Sequence, residues 1–75
     1  MVVGFVVNKM RNEDEIQEIL DAATRLRDKW AAASREEGIT RGEFATAIRN
    51  YNALRGVIKT LQWVLGNPSI RDPLS

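Results

Sequence analysis

Asp14, Glu18 and Asp21 are the side chains best spaced for chemistry in this chain. Asp14/Glu18 and Glu18/Asp21 stand four and three residues apart, so on a helix each pair shares a face. General acid–base pairs and hard-cation sites both require such a face. They also require a pocket, and acids near a helix start are expected anyway, because they sit at the positive end of the helix dipole. The acids therefore read as a solvated face. The chain has no His and no Cys, which removes His-based triads, soft-ligand metal sites and disulfides. Ser34 and Ser69 have no evident base; a Ser–Lys pair stays open on sequence grounds. The glycines form neither a dinucleotide-binding nor a P-loop run. The sequence predicts a non-enzymatic protein with no catalytic residue, no metal and no cofactor.

Arg41, Arg49, Arg55 and Lys59 form the other polar group with a reading, as candidate nucleic-acid contacts. The whole chain carries 11 basic and 10 acidic residues, net +1, so there is no overall polyelectrolyte attraction. Residues 12–37 hold eight acids and four bases, net −4, whereas 38–75 hold five bases and two acids, net +3. The acidic half would oppose a phosphate backbone, and the four basic residues are spread around their helix. A tight turn between long helices also does not suit a helix-turn-helix. Nucleic-acid binding is the alternative reading, not the leading one.

These side chains must be carried by helices. Asn12 followed by Glu15 reads as a capping box, and Ile16, Ile19, Ala23, Leu26, Trp30 and Ala33 then alternate three and four apart, with Leu20, Ala22, Ala31 and Ala32 widening the stripe, giving a helix over about 13–37. Gly38 suits the left-handed position after a helix end. Thr40 and Glu43 form a second capping box, with Ile39 and Phe44 placed as a hydrophobic staple. Phe44, Ala47, Tyr51, Leu54, Ile58, Leu61 and Leu65 repeat the seam over about 41–65, and Gly66-Asn67-Pro68 closes it. Asp21 and Arg25 add an i,i+4 pair of small value. Each helix would be roughly 37 Å long at about 1.5 Å per residue.

The expected fold is all-α: a single domain, 1–75, forming an antiparallel two-helix hairpin, with a left-handed coiled-coil-like crossing. Residues 1–11 form an extended N-terminal segment whose Val2–Val7 stretch is β-prone, and 67–75 form a tail. The apolar start is too short to span a bilayer and lacks the marks of a signal peptide, so the expected location is cytoplasmic, with no membrane partner.

Helix 2 has more apolar surface than one partner helix can cover. Ile48, Tyr51, Val57, Trp63 and Val64 are the candidate oligomer or partner interface. The predicted solution is a homodimer, two hairpins forming a four-helix bundle. The N-terminal segment and the Ile70/Leu74 tail folding over Trp63 and Val64 is the competing solution. Arg49, Gly56 and Trp63, seven apart on one stripe, form a candidate docking stripe for another protein. Gly56 reads either as a place of close approach or as a tolerated surface glycine.

The run Tyr51-x-x-Leu54-x-Gly56-x-Ile58-x-x-Leu61-x-Trp63-Val64-Leu65-Gly66 resembles the closing helix of small uncharacterised open reading frames in phages and prophages. It covers about a fifth of the chain. The resemblance implies a small accessory or interaction protein and carries no site residues. The secreted WXG-type hairpins do not fit, since their turn carries Trp-x-Gly and this turn has no Trp.

Overall fold

The computed structural model describes residues 11–74, and within them the chain forms two helices. Helix α1 spans Glu13–Ala33 and α2 spans Arg41–Val64. They pack against each other along the antiparallel hairpin that the sequence predicts. The extended segment expected at 2–7 lies outside the described residues.

Both predicted capping boxes are present. The Asn12 Oδ1 accepts from the Glu15 amide at 2.9 Å, and Glu15 Oε1 accepts from the Asn12 amide at 3.4 Å. Glu15 also pairs with Arg11 at 3.1 Å. At α2, Thr40 Oγ1 accepts from the Glu43 amide at 3.1 Å, and Glu43 Oε1 accepts from the Thr40 amide at 3.0 Å. Each box satisfies backbone donors that a helix start otherwise leaves orphaned.

The ends differ. Helix α2 closes on a Schellman motif: the Gly66 amide donates to the Trp63 carbonyl and the Asn67 amide to the Gln62 carbonyl, at 3.0 and 2.9 Å. Gly66 has φ +85°, the left-handed conformation the sequence assigns it. Helix α1 ends at Ala33, four residues before its predicted limit at 37. There the Arg35 and Glu36 amides donate to the Ala32 and Ala33 carbonyls, the tightened i→i+3 pattern of a terminating helix. Ser34 Oγ donates back to the Ala31 carbonyl at 2.7 Å. Glu36 and Glu37 would set negative charge against the negative end of the dipole, which disfavours continuation. Gly38 is left-handed at φ +77°, but it lies in the connecting loop and not immediately after the helix cap.

The core is a seam and nothing more. Leu20, Ala23, Ala47 and Ile58 are buried, and Leu54, Leu61 and Leu65 pack partly buried around the cluster of Leu20, Ala23 and Ile58. On α2 the inward row is the predicted one from Ala47 onward. Phe44 is the exception and stays exposed. It occupies the first turn of α2, where α1 has already ended and offers no helical surface.

On α1 the row is corrected. Leu20 is buried in place of Ile19, and Arg27 is half-buried in place of Leu26. The rows through Ile19/Leu26 and Leu20/Arg27 both alternate three and four and share Ile16, Ala23 and Trp30, so periodicity alone serves either. Burying Leu20 joins it to the Ile58 cluster. Arg27 can lay its methylene stem along the helix interface, while its guanidinium reaches Asp28 at 3.2 Å.

Candidate interaction surface

The consequence of that register is an apolar stripe left outside. Ile19 and Leu26 are 58% and 46% exposed, and they stand seven apart on one face of α1. Val57 and Val64, 44% and 50% exposed, stand seven apart on α2. Two shallow grooves show that the stripes share a side of the hairpin. One groove is lined by Ile16, Ile19 and Leu61 beside Arg11, Glu15 and Glu18. The other is lined by Val57 and the same Leu61, with Gly56, Thr60, Pro73 and Leu74. Leu61 thus joins the two stripes into one face. Scattered exposed hydrophobics are ordinary, but a contiguous set spanning two helices marks an interaction site.

The predicted interface residues do not gather onto one surface. Val57 and Val64 belong to this face. Ile48 is half-buried on the opposite flank of α2, and Tyr51 is half-buried at the edge of the seam on that side, as their helical positions require. Trp63 is exposed and directed away from the seam. In the tail, Pro73 and Leu74 line a groove with Gly56, Val57, Thr60 and Leu61. Leu74 itself is almost fully exposed. Ile19 and Leu26 were missed because Leu20 and Ile19 are interchangeable in a hydrophobic count. The signal that separates them is the position of Arg27 beside Leu26, a residue able to lie half-buried.

Within the candidate docking stripe, Arg49 and Gly56 are exposed. A Cβ at Gly56 would meet no atom within 4 Å, so nothing among the described residues approaches it closely. The Thr60 hydroxyl donates to the Gly56 carbonyl at 2.9 Å. Among the candidate nucleic-acid contacts, Arg41, Arg49 and Arg55 are exposed and Lys59 is half-buried. Arg55 and Lys59 lie one turn apart, and the Arg55 guanidinium sits 5.9 Å from the Tyr51 ring centroid. Arg49 is directed to a different side, so the four do not form one basic patch.

The polar side chains of the described residues include helix caps and exposed ion pairs. No group of three or more His, Cys, Asp or Glu side chains among them is placed to hold a metal ion. A groove beside the turn is lined by Trp30, Ala33, Ile39 and Ala47 with Glu36, Glu37 and Glu43 at its rim. Glu43 has its pKa lowered, first by the hydrogen bond from the Thr40 backbone and then by its side-chain hydrogen bond with Thr40. That carboxylate caps a helix. No helix among the described residues is long and apolar enough to cross a membrane.

Among the described residues, fold and surface together define a helical hairpin with a thin seam and an exposed apolar face. Comparison with protein-family models, curated proteins and solved structures finds no match.

Proposed function

We propose that the protein is a non-enzymatic interaction or structural module that acts as a helical-hairpin oligomer. One observation carries this reading: both helices expose apolar residues on the same side of a hairpin whose seam buries only small or single aliphatic side chains. Each apolar stripe requires a covering layer, and two helices side by side make only one. In this reading the hairpin is a cytoplasmic homodimer, a four-helix bundle whose outer surface meets another protein. A small accessory protein, as the resemblance of the Tyr51–Gly66 run to phage reading frames implies, fits the same picture.

Light scattering on a size-exclusion column tests it. A dimer with a helical circular-dichroism spectrum is the expected result, and a well-folded monomer at high dilution overturns it. Nucleic-acid binding gains no specific support, because the basic residues of α2 do not converge. Binding to DNA or RNA that weakens steeply with salt would restore it.

A further inference from the structure

We infer that the groove beside the interhelical turn receives an extended, arginine-bearing segment of a partner protein, with the side chain's stem on Trp30 and its cationic head among Glu36, Glu37 and Glu43. The inference deepens the interaction-module reading and rests on it. The groove lies within one hairpin, so it does not require the oligomer.

The chain leaves room at this end of the hairpin. Helix α1 stops at Ala33 and α2 begins only at Arg41. Between the two helix ends lies a groove of about 700 Å³, a size that ligand sites commonly have. Trp30, Ala33, Ile39 and Ala47 give it apolar walls. Trp30 belongs to the last turn of α1 and is half-buried. Gly42 keeps the α2 side low, since a Cβ there would meet nothing within 4 Å.

The charge of the groove is set by the side chains that line it. They include three carboxylates and no cation: Arg35 and Arg41, close in sequence, are not among them. Glu36 and Glu37 are exposed. The ion pairs Arg11–Glu15 and Arg27–Asp28, found among the described residues, engage none of the three. Glu43 is fixed at the rim, because its Oε1 accepts from the Thr40 amide at 3.0 Å. The Thr40 hydrogen bonds also hold its pKa below the ordinary carboxylate value, so it stays ionised at neutral pH. Helix α1 adds a further negative field, since its last turn contains no basic residue to meet the negative end of the dipole. The positive end of α2 is already met by Glu43.

Apolar walls under an anionic rim select the occupant. Phosphates and acidic segments are repelled. A wholly apolar segment would desolvate the carboxylates without pairing them. A cation on an aliphatic stem satisfies both parts, with the stem on the walls and the head at the rim. Arginine suits the groove better than lysine, because a planar guanidinium stacks on an indole face and forks onto a carboxylate.

Nuclear magnetic resonance on the ¹⁵N-labelled full chain tests the inference. The chain has two tryptophans, and Trp63→Phe tells their indole N–H signals apart. The probe is a blocked five-residue peptide with arginine at its second and fourth positions and alanine elsewhere. The expected result is a saturable shift of the Trp30 indole and the Gly42 amide in the millimolar range or tighter. Moderate sodium chloride should weaken it several-fold. The same peptide with citrulline for arginine keeps the shape and loses the charge, and should bind several-fold more weakly. So should the arginine peptide to the Glu36→Gln/Glu37→Gln chain, which alters only exposed loop residues and is checked for a native helical spectrum. Absence of a saturable shift, or shifts confined to other residues, overturns the inference. Equal binding of the citrulline peptide, or by the double variant, overturns the cationic occupant. Movement of the same signals on dilution of the native chain alone, with its helical spectrum intact, places a second copy in the groove and overturns the choice of partner. Light scattering judges the oligomer separately: a dimer that ignores the peptide overturns this inference alone, and a folded monomer that binds it removes only the oligomer.

Discussion

Gly66 and Gly56 are the same residue type under opposite demands, and substituting alanine at each separates them. Gly66 is left-handed at φ +85° and terminates α2 by donating its amide hydrogen bond to the Trp63 carbonyl. A Cβ there costs about 1–2 kcal/mol for the conformation alone. Gly56 lies within α2, where a Cβ meets open space. Alanine at that site gains about 0.5–1 kcal/mol by reducing the freedom of the unfolded chain. Urea titration followed by circular dichroism should therefore move the midpoint down for Gly66→Ala and up for Gly56→Ala. A loss at Gly56 would show that another backbone or partner approaches there after all. The Gly66 role was legible in the sequence because a Cβ penalty and a following proline are local facts. The Gly56 role was not, since it depends on what lies across from the helix, which no neighbouring residue encodes.

Helix ends are specified within a few residues, and the two capping boxes follow directly from Asn12/Glu15 and Thr40/Glu43. Thr40→Ala removes the acceptor for the Glu43 amide and should cost about 1 kcal/mol of stability, read as a lower thermal midpoint. Glu43 adds a pH dependence whose sign is fixed. Its pKa in the folded chain is depressed by the Thr40 hydrogen bonds, so its contribution is fully present above the unfolded-chain value and fades as pH falls through the lower folded value. Glu43→Gln should therefore destabilise the hairpin at neutral pH and match the native chain once both are in strong acid. A constant difference across that range would mean that the carboxylate charge is irrelevant to the cap. Where α1 stops and which face it buries were less legible. Its end depends on Ser34 bonding back to Ala31 and on acids at 36 and 37, weak effects that a strong periodicity masks. Its face depends on Leu20 meeting Ile58, a contact across the hairpin. Leu20→Ala tests that contact: deleting it should cost at least about 2 kcal/mol by the ordinary range for core truncations. In so thin a core that loss should abolish most of the cooperative transition.

At the scale of the whole molecule, the uneven charge becomes a measurable quantity. Within the chain α1, net −3, packs on α2, net +3, and salt screens the attraction between them. A hairpin held by apolar contact alone should be indifferent to moderate sodium chloride. The expected observation is a thermal midpoint, at fixed protein concentration, that falls between low and moderate sodium chloride, measured by circular dichroism. Sodium sulfate would strengthen apolar burial and blur the result, so chloride is the informative salt. The midpoint should also rise with protein concentration, as it must when folding and association are coupled. A midpoint independent of concentration would remove the oligomer reading, and one that rises with chloride would remove the attraction between the helices.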